Sequence, residues 1–547
     1  MLFNKNQWPL ICSLIILWIT TLIVTLLSIS NTNGHLIYVL DDPYIHMVVA
    51  KNFVSYGVWG VTKYGFTSST SSILWPGLIA ALFKIFGINE LIPFFLNIIF
   101  ATSTLILTNY ILKQYVKDIK YCNLFIFISL MVITFLTPII PLIFTGMEHV
   151  LQIFLTIAFV YMSAKILNQE KSQNYEVILL LILASLLTLN RYENLFTVLA
   201  VVLLFVIYKK RLKAIYILLS GTIPLIIYGL YSKIQGWYFL PNSLILKSAY
   251  LKNLTSLNYI LLTLKKLIYT ILEPHLLILF ITAVFLLYII LKDNFTKKIN
   301  DFYIIILIIF IFNLIFHISF VQTGYFYRYE AYLIALGLLG TSLGISLCLK
   351  DLETLIYQNN IRKYKWNILR YSFLFLLICL FMIPAATNGY GSITSVPQAS
   401  KNIYEQQYQM ALFIEEYYQG KSVGLNDIGI INYMSDIKCL DLWGLGNLEV
   451  AQKKNEGNYT TNEISNLTTN NNVSLIIIYD SAFQNKIPPD WIKVGEWEIK
   501  GNIVCGDSLV SFYAPNQQYE AYLNEKLRLF SFRLPKDVEQ RGKYLTN

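Results

Sequence analysis

Stretches of roughly twenty consecutive apolar residues recur along this 547-residue chain, and each is long enough to cross a hydrocarbon core of about 30 Å as a helix. They lie at 8–30, 91–112, 122–141, 150–167, 176–190, 195–208, 213–231, 274–291, 303–320, 331–349 and 368–384. A backbone crosses lipid only when its own hydrogen bonds are satisfied internally. The chain therefore reads as a polytopic α-helical membrane protein with about 11 transmembrane helices. Only 14% of its residues are charged, against about 25% in soluble domains, which excludes an ordinary soluble or disordered chain. Six cysteines in 547 residues exclude a disulfide-stapled scaffold.

The first run is too long for the apolar core of a secretory signal, so it reads as an uncleaved anchor. A twelfth stretch, Ile73–Phe86, is short and punctuated by Trp75, Pro76 and Gly77. Charge decides its treatment. With eleven spans and a cytoplasmic N-terminus, the inner loops hold seventeen Lys and Arg residues, among them Lys113, Lys165, Lys210, Lys213 and Lys350, whereas the short outer loops hold only Arg191 and Arg328. That asymmetry follows the positive-inside rule, and counting Ile73–Phe86 as a span would reverse every later assignment. The stretch is therefore read as re-entrant or interfacial. Segments 31–72, 146–149, 232–273 and 322–330 then share the outer face.

Composition changes near Pro384. Residues 1–384 carry 28 Lys and Arg against 14 Asp and Glu, while 385–547 carry 14 against 18. The basic excess belongs to loops flanking the membrane, where it serves orientation and contact with anionic membrane lipids; nucleic acid is not the implied partner. Two parts are expected: a membrane domain, 1–384, with a first extracytoplasmic loop at 31–72, and a soluble extracytoplasmic (periplasmic) α/β domain, 385–547. In the second part 402–418 is helix-like, and 422–425, 473–479 and 509–513 are strand-like. Cys439 and Cys505 fall there in an oxidising compartment, and a disulfide between them is left open because spacing says nothing of geometry.

Chemistry concentrates on the outer segments. Asp41 and Asp42 sit side by side just past the first span, where two adjacent carboxylates repel and are costly to desolvate unless a cation, a proton or a reaction justifies them. Asp42 before Pro43 is also good helix-start chemistry, and both roles can hold. The hydroxyl run Thr67-Ser68-Ser69-Thr70-Ser71-Ser72 reads as a loop or as a sugar or phosphate contact. Glu148 and His149 are open to a metal, to hydroxyls, or to a plain turn. The tripeptides Arg191-Tyr192-Glu193 and Arg328-Tyr329-Glu330 repeat at outer span ends, where arginine either snorkels or clamps an anion. Leu240-Pro241-Asn242-Ser243 is a turn signal followed by Lys247, and His35, His46, His275 and His317 read as isolated structural histidines. The chain contains no P-loop, dinucleotide fingerprint, C-x-x-C or H-E-x-x-H, so soluble nucleotides are not the expected substrates.

Taken in order, Asp41-Asp42-Pro43-Tyr44-Ile45, the Thr67–Ser72 run before Leu74-Trp75, Gly146-Met147-Glu148, Arg191-x-Glu193, Leu240-Pro241-Asn242-Ser243 with Lys247, and Arg328-Tyr329 resemble the bacterial membrane glycosyltransferases of the GT-C superfamily. The likeness is to the branch containing the mycobacterial terminal arabinofuranosyltransferase, with protein O-mannosyltransferases more distant. Gly424–Gly429 and Cys439–Leu445 are similar to a segment those proteins carry after their last span. One departure is Tyr192, where the family pattern has proline, which leaves open whether Arg191 faces the site.

The resemblance implies a GT-C-like fold and a polyprenyl-phosphate sugar donor. A hydroxyl of a cell-envelope glycan, lipid or protein acceptor would attack the anomeric carbon on the outer face, inverting it. It implies Asp41 as general base with Asp42 orienting, Lys247, Arg328 and Arg191 on the donor phosphate, and Glu148, His149 and Tyr44 on sugar hydroxyls or a metal. A divalent metal ion is the one cofactor left open. Abundant Asn, Ile and Lys fits an AT-rich bacterial genome and hence the cytoplasmic (inner) membrane. The alternatives are a lipid-linked oligosaccharide transporter or flippase, for which inverted repeats and mid-membrane charges are lacking, and an O-antigen polymerase or ligase.

Overall fold

A computed structural model describes residues 7–116, 119–246, 274–292, 302–321, 323, 324, 326, 328–358 and 361–545. Lys247 and the remainder of the 232–273 segment after it lie outside the described residues. The helical part comprises α1 (Trp8–Asn31), α2 (Asp42–Tyr56), α3 (Leu74–Phe86), α4 (Ile92–Tyr115), α5 (Cys122–Leu136), α6 (Ile139–Phe144), α7 (His149–Asn168), α8 (Asn174–Asn190), α9 (Leu195–Ile207), α10 (Arg211–Ile234), α11 (Pro274–Lys292), α12 (Phe302–Phe320), α13 (Ala331–Gln358) and α14 (Ile361–Ile403). Among the described residues eight helices are long and apolar enough to cross a membrane: α1, α4, α7, α10, α11, α12, α13 and α14 with its extension. Of the apolar runs, 176–190 and 195–208 form shorter helices. The run 122–141 is not one helix: Thr137 and Pro138 break it, and α6 starts afresh, because proline removes a donor and crowds the preceding turn.

Burial separates centre from rim. The apolar windows of α7 and α13 are 89% and 83% buried, against 22% for α1, whose Ile15, Trp18, Leu22 and Leu26 face outward as lipid-contacting side chains do. The basic loops meet at one end of this bundle: Lys210 Nζ donates to the carbonyls of Ile166 and Gln169, Lys213 to Ser172, and Lys165 pairs with Glu176. At the opposite end lie Asp42, Glu148, Arg191 and Arg328. Helix α3 begins and ends at this second end. Ser71, before it, donates to Glu148, and the Glu90 carbonyl, after it, accepts from the Tyr38 hydroxyl. Its 13 residues span only about 20 Å, so the chain returns without crossing.

Helix α14 runs 43 residues, about 65 Å, so it outreaches any hydrocarbon core and carries the chain into the tail. The compositional change at Pro384 falls inside this helix rather than at its end. A π-helical turn at Tyr404–Tyr408 joins it to α15 (Gln409–Tyr417). The tail continues with β1 (Ser422–Leu425), α16 (Ile430–Met434), β2 (Lys438–Asp441), α17 (Leu448–Glu456), α18 (Thr461–Asn470), β3 (Leu475–Ile478), β4 (Ile492–Glu498), β5 (Leu509–Ala514), α19 (Gln517–Ser531) and β6 (Glu539–Gly542). These strands form one sheet in the order β2-β1-β3-β5-β4-β6. Strand β1 is parallel to β2 and β3, with Val423 opposite Cys439 and Leu475, while β5 is antiparallel to β3 and β4.

Both faces of the sheet are covered. On one, Phe413 packs with Trp497, Phe512 and Phe530; on the other, Leu442, Val450, Ile464, Leu467 and Ile476 form a separate core. Cys439 and Cys505 are both free thiols, so the disulfide left open by the sequence is not formed. Cys439 sits on edge strand β2, whereas Cys505 lies in the β4–β5 connection and donates to Gln407 at 3.3 Å.

Candidate functional site

The tail lies with the carboxyl ends of its parallel strands against the polar end of the bundle, the edge at which open α/β sheets offer loops to ligands. Several contacts hold it there. Lys51 Nζ donates to the Tyr433 carbonyl at 2.6 Å, Lys63 pairs with Asp436 at 2.5 Å, and Asn242 Nδ2 donates to the Gly444 carbonyl at 2.9 Å. Asp41 is the central contact. Its two carboxylate oxygens accept the amides of Gly429 at 2.7 Å and Ile430 at 2.8 Å, across the start of α16. A Cβ on Gly429 would stand 2.6 Å from the Asp41 carboxyl carbon, so only glycine lets the amide approach this closely. Burial, and then the neighbouring Asp427, push the Asp41 pKa up to about 8 despite those amides. Asp427 is raised too, chiefly by burial, while accepting from Tyr479 Oη at 2.5 Å and Gln407 Nε2 at 3.0 Å.

Asp42, one residue on, faces the other way. It opens α2, with Pro43 in the first turn, and its carboxylate is 2.8 Å from Arg328 Nη1 while remaining 43% exposed. Arg328 is itself buried, touches the Met147 sulfur at 2.9 Å and donates to the Tyr329 hydroxyl at 3.0 Å. The Tyr329 ring lies 4.9 Å from the Arg328 guanidinium and 5.4 Å from that of Arg191, both within cation–π reach. The two Arg-Tyr-Glu tripeptides therefore converge, with one tyrosine between their arginines.

Arg191 Nη1 binds Glu148 at 2.8 Å and its Nε binds Glu193. Glu148 is fully buried and also meets His46 Nε2 at 3.5 Å and Ser71 Oγ at 3.0 Å. Burial pushes its carboxyl up, but His46 and Arg191 outweigh that and leave it below the ordinary carboxylate range. Burial in turn lowers the His46 pKa, so Arg191 is the lasting positive charge at this carboxylate. The Gly146 turn sets the whole group: its φ of +63° and the Tyr38 ring, 2.6 Å from where a Cβ would stand, both require glycine.

The expected residues are thus brought together in two linked groups, Asp42–Arg328 and Glu148–Arg191. His149 lies beside them, its ring 5.9 Å from that of Tyr329. Tyr44 is buried, accepts from the Tyr38 amide at 3.2 Å and packs against Tyr38 and Tyr433, so it supports the tail contact. Glu148 is paired with Arg191 at 2.8 Å, and among the described residues no group of three or more His, Cys, Asp or Glu is placed to hold an ion. His46, read as an isolated structural histidine, stands in this network. Asp427 and Gly429 lie in the segment Gly424–Gly429 that the resemblance singled out, but sequence reasoning assigned neither a role.

Comparison with known proteins places a domain of unknown function, DUF8728, over residues 401–513. No curated protein matches. The chain is similar in arrangement to ArnT from Cupriavidus metallidurans, solved bound to undecaprenyl phosphate, at 10% identity, a TM-score of 0.49, and coverage of 92% of this chain and 98% of that one. It is similar also to the oligosaccharyltransferase AglB from Archaeoglobus fulgidus, solved with an inhibitory peptide and a dolichol-phosphate, at 13% identity, a TM-score of 0.49, and coverage of 94% and 75%.

Proposed function

We propose that this protein is a membrane glycosyltransferase of GT-C type, moving a sugar from a polyprenyl-phosphate carrier to a hydroxyl of a cell-envelope glycan, lipid or protein. The observation that carries the reading is Asp42: a solvent-reachable carboxylate 2.8 Å from a buried arginine, with a second buried arginine across Tyr329. A base beside fixed cations is what displacement at a phosphate-linked carbon needs. Asp42 takes the proton of the acceptor hydroxyl as its oxygen bonds to the anomeric carbon from the face opposite the phosphate. The bond from that carbon to the phosphate oxygen breaks, its electron pair leaves with the lipid phosphate, and Arg328 and Arg191 stabilise that anion. Configuration inverts.

In this reading Asp42 takes the base role that the resemblance assigned to Asp41, and Asp41 anchors the tail. Lys247 remains the other phosphate cation proposed from the sequence. The clustering of basic loops at the opposite end of the bundle supports an outward-facing site and tail, with the N-terminus in the cytoplasm of a bacterial inner membrane. The test is transfer of radiolabelled sugar from synthetic polyprenyl-phosphate sugars by the protein in nanodiscs. Asp42→Asn should lower turnover by about 10²-fold or more while the folded yield stays normal; near wild-type turnover in that variant would remove the assignment.

A further inference from the structure

The hydroxyl run Thr67–Ser72, which touches the site through Ser71 and Glu148, is not a solvated loop. Ser68, Ser69, Thr70 and Ser72 are all buried, and most of the run has a local purpose. Thr67 accepts from the Val61 amide, Ser68 meets Tyr228 Oη at 3.3 Å, Ser71 donates to Glu148, and Ser72 accepts from the Trp75 amide at the start of α3. Thr70 Oγ1 is the exception: buried, 2% exposed, and without a hydrogen-bond partner. The turn that packs on this run shows the same pattern. The Asn242 amide donates to the Ser68 carbonyl at 2.8 Å and its Nδ2 to Gly444, yet Asn242 Oδ1 and the adjacent Ser243 Oγ are buried and unpartnered.

Buried hydroxyls and amide oxygens without partners are rare, because each loses its hydration for nothing. Three on two segments in direct contact mark a place prepared for something polar. All three are neutral, so they suit hydroxyls and offer a phosphate no charge; the Arg191 guanidinium is reached from the same run through Ser71 and Glu148. We propose that Thr70, Asn242 and Ser243 form the recognition site for the sugar ring of the lipid-linked donor. This rests on the glycosyltransferase reading above and adds to it the residues that choose the sugar. The hydroxyl run then links two subsites: neutral groups for the ring, and arginine for its phosphate.

The experiment measures binding to the full-length protein in nanodiscs of citronellyl phosphate and of citronellyl phosphates carrying mannose, glucose, galactose or arabinofuranose. Wild type is expected to bind the bare lipid phosphate and to bind at least one glycosylated form about tenfold more tightly. Thr70→Val, Asn242→Leu and Ser243→Ala should each erase most of that increment and bind the bare lipid phosphate as wild type does. Thr70→Val and Ser243→Ala should melt no lower than wild type, since each removes an unsatisfied polar group, while Asn242→Leu melts lower because it also breaks the bond to the Gly444 carbonyl. Retention of the increment in all three variants overturns the sugar site. So does a lowered melting temperature accompanied by loss of bare-phosphate binding, which would mark these groups as structural or water-bridged. Bare lipid phosphate bound with no gain from any sugar overturns the sugar site alone, and failure of wild type to bind bare lipid phosphate overturns the glycosyltransferase reading.

Discussion

Asp41 and Asp42 are consecutive, yet their carboxylates are held by opposite halves of the molecule. Asp41 bonds two amides of the tail at 2.7 and 2.8 Å, and Asp42 meets Arg328 of the helical part at 2.8 Å. The start of α2 is therefore where the tail and Arg328 of the helical part meet the chain at adjacent residues.

The first consequence is a division of labour between the two residues. A hydrogen bond contributes about 0.5–1.5 kcal/mol net, and Asp41 accepts two from the tail. Asp41→Ala should thus speed hydrogen exchange of the segment 426–434 by tenfold or more, and Asp41→Asn should do so by less because one acceptor oxygen remains. Asp42→Ala should leave that segment unchanged. Exchange followed by mass spectrometry on the reconstituted protein checks all three, and equal acceleration by Asp41→Ala and Asp42→Ala would show that the tail does not depend on Asp41 specifically.

The same contact should respond to pH. A free aspartate titrates near 4, but burial and the nearby Asp427 raise Asp41 to about 8 when the tail is docked. A carboxyl with a raised pKa binds its proton more tightly in the docked state. Its contribution is fully present below about pH 4, declines as pH rises, and is lost by the time pH passes the docked value of about 8. Between pH 6 and pH 9 the melting temperature of wild type should therefore fall further than that of Asp41→Asn, whose side chain does not titrate. Parallel losses in the two proteins would assign the pH dependence elsewhere.

Much of this architecture is legible in the apolar runs, because a span announces itself by length and hydropathy alone. The short strands Ser422–Leu425, Leu475–Ile478 and Leu509–Ala514 are visible as apolar runs too. What stays hidden is whatever depends on contact between distant residues. Nothing local distinguishes Arg191 from an interfacial arginine, and only folding brings Glu148 within 2.8 Å of it. His46 looks solitary until α2 packs it against Glu148. Gly429 looks like an ordinary turn glycine, and its need to be glycine comes from a carboxylate 388 residues earlier. The disulfide shows the limit from the other side, since compartment and count allow Cys439 and Cys505 to pair, and only strand order separates them.

That separation predicts a chemical result. Both thiols are raised in pKa, first by burial, and a thiol reacts as its thiolate. Maleimide should label neither cysteine rapidly in the folded protein at neutral pH, and both after denaturation without reductant. A mass two hydrogens lighter for a peptide pair joining 439 and 505 would contradict the structure.

The Glu148–Arg191 pair should behave as a buried ion pair does, costly to break from one side. Glu148 is fully buried and Arg191 nearly so, and removing one partner of such a pair typically costs about 3–5 kcal/mol because the other charge is left uncompensated. Glu193 also binds Arg191, which cushions the loss and places Glu148→Gln toward the lower end of that range. Arg191→Gln should be worse, since it strands two carboxylates rather than one guanidinium. The double substitution should cost less than the sum of the singles, because the groups share one network. Thermal unfolding of the four proteins in the same detergent measures the coupling, and strictly additive losses would mean that the 2.8 Å contact contributes no interaction of its own.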